Sequence, residues 1–184
     1  MKHRLRGRIA LIISASFLVT ACGSGSMGAG PPSTSATTPQ PAGATPSASA
    51  RMVCGPEAQR EIALSLQLRS SAPTTPTWAD QLYSCRYTYP VGSVEMSVKE
   101  LADQAATDAY YTGTRTDPAD QVALHGLGQA AYAGPDGIIV VRKDFKVLRI
   151  DATGLPAQFG QPPMSRAEAA RRIASDIMTC WNGD

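Results

Sequence analysis

The sequence predicts an α+β fold: an antiparallel sheet of about five strands with helices packed on one face, in the order α-ββ-α-βββ-α. Three stretches carry that expectation. Residues 138–152 hold two strands joined by a two-residue loop, residues 81–98 hold two more alternating strands, and residues 165–181 hold an amphipathic helix. Hairpins imply antiparallel pairing, and a helix with one apolar stripe needs a surface to bury it against.

The elements follow in chain order. Pro56 suits a first helical position and Glu57 suits the positive end of the helix dipole, so 57–66 reads as a helix. Ile62, Leu64, Leu66 and Leu68 alternate with period two, which gives that helix an extended tail near Leu68. Residues 70–77, with Pro73 and Pro76, read as loop. Gln81 to Tyr89 is a strand with Tyr83, Cys85, Tyr87 and Tyr89 on one face, Pro90-Val91-Gly92 turns the chain, and Val94, Met96 and Val98 alternate in a second strand. Ser97-Val98-Lys99-Glu100 fits a capping box, and Leu101, Ala105 and Ala109 follow at four-residue spacing. A second helix is therefore expected there, with an Ala-rich face on the sheet and an end at Gly113.

Residues 114–128 read as a long loop and Ala130–Ala133 as a short strand. In Pro135-Asp136-Gly137 the proline presets φ and the glycine supplies a positive φ, which makes a turn. Ile138–Lys143 and Lys146–Ala152 form the clearest hairpin. With Asp144-Phe145 as its loop, Ile139, Val141, Leu148 and Ile150 share the core face, and Val140, Arg142, Val147 and Arg149 share the other. Residues 153–164, with three prolines, are a second long loop. Ser165-Arg166-Ala167-Glu168 is another capping box. Ala170, Ile173, Ala174, Ile177, Met178 and Trp181 then make an inner stripe, leaving Arg171, Arg172 and Asp176 to solvent.

Upstream of this domain, Lys2, Arg4, Arg6 and Arg8 precede an apolar run from Ile9 to Val19. Eleven helical residues rise only about 16 Å, too short for a hydrocarbon core of ~30 Å, so residues 1–21 read as a signal peptide. Val19-Thr20-Ala21-Cys22 has the form of a lipobox, which makes Cys22 the lipidated residue and attaches the chain to a membrane on its extracytoplasmic face. Residues 23–50 carry no charge and no aromatic side chain and are dominated by Gly, Ser, Thr, Ala and Pro. With Cys22 they are expected to be a disordered tether, about 30 Å end to end as a coil and ~85 Å if drawn into polyproline. Residues 51–184 are then one globular domain. Four of the 17 Lys and Arg leave with the signal peptide, so 13 remain against 15 Asp and Glu. That balance argues against nucleic acid as a partner.

Cys22 aside, three cysteines remain: Cys54, Cys85 and Cys180. An oxidising compartment favours one disulfide, with Cys54–Cys85 as the leading pair and Cys54–Cys180 as the next. His125 is the only His outside the signal peptide, so a His/Cys metal site lacks ligands, and no metal or cofactor is expected. No G-x-S-x-G elbow occurs, and a hydrolase would have to use His125, which reads as a solvated loop residue. Gly126-Leu127-Gly128-Gln129-Ala130-Ala131 matches G-x-G-x-x-A with Asp151 downstream, but Pro135-Asp136-Gly137 arrives too soon for the helix a dinucleotide site requires. Arg142, Lys143, Lys146 and Arg149 cluster on one hairpin. They are either a contact patch for lipid headgroups or acidic wall polymers, or a solvated strand face with Asp144 and Asp151 interspersed. Asp117 and Asp120 lack the surrounding pattern of a calcium loop, and Trp78 and Trp181 read as core anchors.

Taken together, the chain resembles actinobacterial cell-surface lipoproteins of unknown function. The features that carry the likeness are the lipobox, the Pro/Ser/Thr/Ala tether, and Cys54 before the first helix. To these it adds Cys85 in a Tyr-rich strand, Gly126-Leu127-Gly128-Gln129-Ala130-Ala131-Tyr132, the strand Val140-Val141-Arg142-Lys143, and the closing Cys180-Trp181. The resemblance implies an address and a class, with no catalytic residues to carry over. The expected protein is a lipid-anchored, non-enzymatic module that binds an envelope ligand or protein. The alternative is a cell-envelope hydrolase or wall-modifying enzyme using His125.

Overall fold

The computed structural model describes residues 40–69, 75–115, 117 and 121–181. The expected signal peptide, Cys22, most of the expected tether and Asp120 lie outside the described residues. All described residues fall within one compact unit.

The architecture is α+β around an antiparallel sheet, and it is richer than the sequence pattern implied. Its helices are α1 (Ala48–Met52), α2 (Pro56–Ser65), α3 (Gln104–Gly113) and α4 (Arg166–Cys180). Strands β1 (Thr77–Ala79), β2 (Leu82–Tyr89), β3 (Gly92–Glu100), β4 (Val122–Leu124), β5 (Ala130–Ala133), β6 (Ile138–Lys143) and β7 (Lys146–Asp151) form one sheet. Their spatial order is β1-β2-β3-β7-β6-β5-β4. Strands β8 (Gln158–Phe159) and β9 (Met164–Ser165) pair separately inside the expected second loop. The five expected strands correspond to β2, β3, β5, β6 and β7. Strands β1 and β4 are added at the two edges, and at three residues each they are too short to show an alternation.

The centre of the sheet follows its pattern closely. In the β6–β7 hairpin Asp144 and Phe145 both have positive φ, 51° and 57°, as a two-residue turn matched to strand twist requires. Register pairs Ile139 with Ile150 and Val141 with Leu148, all on the core face and buried with Tyr87, Met96 and Val98. Gly92 turns β2 into β3 with φ 143°, and a Cβ there would lie 2.1 Å from the Gly154 carbonyl oxygen. The core face is covered by α1, α2 and α4. In α4 the Ser165 hydroxyl accepts from the Glu168 amide at 3.1 Å, and Ala169, Ala170, Ile173, Ala174 and Ile177 point inward.

Three expectations are corrected. Helices do not share one face: Tyr111 of α3 packs with Tyr132, Val140 and Val147 in a second apolar cluster on the opposite face. The side of the hairpin assigned to solvent is therefore covered. The helix after β3 does not begin at the Ser97–Glu100 box, because those residues stay in the strand, with Glu100 opposite Lys146. The cap is Asp103, whose Oδ1 accepts from the Ala106 amide at 2.8 Å, and the shift turns Thr107 and Tyr111 inward and leaves Ala105 and Ala109 exposed.

The domain also begins upstream of residue 51. The Ala42 amide donates to the Leu101 carbonyl at 3.0 Å, and the Trp78 indole donates to the Ala44 carbonyl at 3.0 Å. Ser47 caps α1 through its hydroxyl, while its amide donates to Glu100 Oε1 at 2.9 Å. Ala50 is 0% exposed. Composition marked 40–50 as tether because Ala, Ser and Pro bury little surface, yet backbone bonds and one small side chain suffice to hold the segment down.

Candidate functional site

The disulfide joins Cys54 and Cys85, with Cα atoms 6.0 Å apart. Cys54 follows α1, and the chain there runs over the tyrosine face of β2, where the Tyr87 hydroxyl donates to the Val53 carbonyl at 2.9 Å. Cys180 stands outside this bond, half-buried at the end of α4. Burial pushes the Tyr89 phenol up to about 12 and the Tyr87 phenol higher still, with Tyr89 and Tyr83 adding to the effect on Tyr87.

The basic hairpin residues are divided between the two faces of the sheet, and of the four Lys146 is buried. Alternation sends Lys143 and Lys146 to the core face and Arg142 and Arg149 to the other. Lys146 is 1% exposed and lies opposite Glu100, itself 3% exposed, with Nζ 3.5 Å from the Asp144 carbonyl. Lys143 Nζ donates to the Trp181 carbonyl at 2.8 Å, at the negative end of α4. Arg142 pairs with Asp108 of α3 and lies over the Tyr111 ring, while Arg149 holds Asp151 at 2.7 Å. Burial works against the Asp151 charge, but Thr153, through its hydroxyl and amide, and Arg149 outweigh it and hold that carboxyl below its ordinary range. Arg142 and Lys143 thus tie the hairpin to α3 and to the end of α4, Lys146 is buried opposite Glu100, and Arg149 pairs within its own strand.

His125 is exposed in the bend between β4 and β5. Among the described residues no group of three or more His, Cys, Asp or Glu is placed to hold a metal ion. The Gly126–Ala131 stretch enters β5 and opens no helix. Gly128 has φ 57°, and a Cβ there would meet the Arg142 carbonyl oxygen at 2.7 Å, so the glycine serves strand packing. Trp181 is buried in the core, Trp78 is half-buried over Ala44, and Asp117 is exposed.

One arrangement escaped the sequence reading. Asp176, expected on the solvent side of α4, is half-buried, because α2 packs along that flank. Ser65 of α2 donates its hydroxyl to Asp176 Oδ2. Burial, then Glu61, raises the Asp176 carboxyl above its ordinary range, while Ser65 and Arg172 pull the other way. Nearby, Gln67, Gln158, Pro162, Met164, Glu168 and Arg172 help line a cleft of about 310 Å³ between α2, the β8–β9 pair and α4. A helical wheel treats the partner of α4 as a single surface, so it had no signal for a second helix on its flank.

No protein-family model, curated protein or solved structure matches the chain. The likeness to actinobacterial lipoproteins therefore rests on the motifs alone.

Proposed function

We propose that the chain is a lipid-anchored extracytoplasmic lipoprotein of the actinobacterial cell-surface kind, and that its domain is a non-enzymatic binding or interaction module. The observation that carries this reading is Val19-Thr20-Ala21-Cys22, placed directly after an apolar run too short to span a bilayer and preceded by four cations. The Cys54–Cys85 disulfide supports it, since such bonds persist in oxidising compartments. The exposed position of His125 favours a module over a hydrolase, which would need that imidazole inside a cleft beside a nucleophile and an orienting acid. More than one acyl chain at Cys22 would give stable attachment where a single chain is marginal.

Labelling of growing cells with palmitate tests the anchor. The wild-type chain should incorporate label and partition with membranes, and Cys22→Ala should lose both the label and maturation. Unchanged incorporation by Cys22→Ala would overturn the reading.

A further inference from the structure

The cleft beside α4 is built by three elements that each contribute polar side chains to its wall. Helix α2 closes with the Gln67 amide donating to the Leu64 carbonyl and the Leu68 amide to the Ala63 carbonyl, a motif whose left-handed position usually holds glycine. Gln67 occupies that position with φ 54°, and it lines the cleft. In the β8–β9 pair Phe159 and Met164 lie opposite each other and are buried, which sends Gln158 and Ser165 to the other face, and both line the cleft. Glu168 and Arg172 come from the first two turns of α4, where Arg172 Nε donates to Glu168 Oε1 at 3.0 Å. The chain enters the domain elsewhere. Ala42 and Ser47 bond to Leu101 and Glu100, at the end of the sheet that also holds Lys143 and the last turn of α4. The cleft is clear of that end.

We propose that this cleft binds a neutral saccharide. Its volume, about 310 Å³, is at the lower end of the roughly 300–1,000 Å³ of small-molecule sites and suits a short saccharide. Side-chain amides, a hydroxyl, a carboxylate and a guanidinium supply donors and acceptors together. Neighbouring sugar hydroxyls need both, since each donates and accepts. The charges of the wall cancel: the Glu168 carboxylate is paired with Arg172, and that bond uses only one of the guanidinium's N–H donors. An anion reaching Arg172 would meet Glu168, and a cation reaching Glu168 would meet Arg172. Pro162 and Pro163 offer apolar surface to the C–H face of a sugar ring. A peptide added as a further strand fits less well, because β8 and β9 are two residues long. The left-handed backbone at Gln67 agrees, because such positions gather at ligand sites when the residue is not glycine. Saccharide binding rests on the reading of the domain as a binding module and is independent of how the chain is anchored.

Titration of the full chain with maltotriose, mannotriose and triacetylchitotriose, followed by the side-chain amide NMR signals of Gln67 and Gln158, tests it. At least one of these sugars should shift both signals saturably at millimolar concentration. Arg172→Ala should then weaken binding about tenfold. Arg171→Ala, equally exposed on α4 but outside the cleft, should leave it unchanged. Equal effects from the two changes would overturn the proposal. So would the absence of a saturable shift with all of these sugars, and so would saturation by inorganic phosphate or trialanine in place of them, which would make the cleft an anion or peptide site. Recovery of the bound sugar intact supports the binding module. Its cleavage would leave the saccharide site standing and overturn the non-enzymatic reading alone.

Discussion

Removing residues 40–50 should weaken the domain measurably, although their composition is that of a linker. The loss can be worked from three contacts. Ala50 is fully buried, and returning its methyl group to water costs about 1 kcal/mol. Glu100 is 3% exposed, and without the Ser47 amide a buried carboxylate oxygen loses a donor at a cost of about 1–3 kcal/mol. The Trp78 indole is half-buried, so water can replace the Ala44 carbonyl at little cost. The sum, about 2–4 kcal/mol, is a large share of the 5–15 kcal/mol typical of a domain. Calorimetry on chains beginning at Gln40 and at Arg51 should therefore show melting temperatures separated by roughly 6–15 °C. Coincident melting curves would refute the reasoning, because residues 40–50 would then make their contacts without contributing to stability.

Three further outcomes are expected. Ile177→Ala, at a site 2% exposed, should cost about 2–5 kcal/mol in a urea titration, while Arg171→Ala on the exposed side of α4 should cost less than about 0.5 kcal/mol; equal costs would mean the helix is turned. Replacing Cys54 and Cys85 together with Ala should cost roughly 3–4 kcal/mol for a loop of 31 residues, and adding reductant to that variant should have no further effect on its unfolding. The domain should also lose stability in alkali. Tyr89, raised to about 12 by burial, adds stability that is complete below the ordinary tyrosine value and lost as pH rises through about 12. Absorbance near the tyrosinate band should accordingly show a late phase that coincides with unfolding.

What the sequence by itself determined is whatever depends on short-range periodicity. The β6–β7 hairpin, with Asp144-Phe145 at its tip, was legible because two residues between alternating runs leave one register that buries Ile139, Val141, Leu148 and Ile150 together. The tyrosine face of β2 and the inner stripe of α4 were legible for the same reason, as was the Ser165 cap. Tertiary structure decided what depends on what each element meets. Glu100 was read as part of a capping box, but a strand paired on both sides holds it, and its side chain is buried where the Ser47 amide reaches it. The four hairpin cations read as a cluster along the chain, yet alternation divides them between two faces, where Arg142 meets α3, Lys143 meets the end of α4, Lys146 is buried opposite Glu100 and Arg149 holds Asp151 of its own strand. The cysteine pairing stayed open until α1 carried Cys54 over Cys85. Asp176 read as solvent-facing until α2 closed over it, because a side chain's environment is fixed by elements distant in sequence, and no periodicity within one helix records which neighbour will lie along its flank.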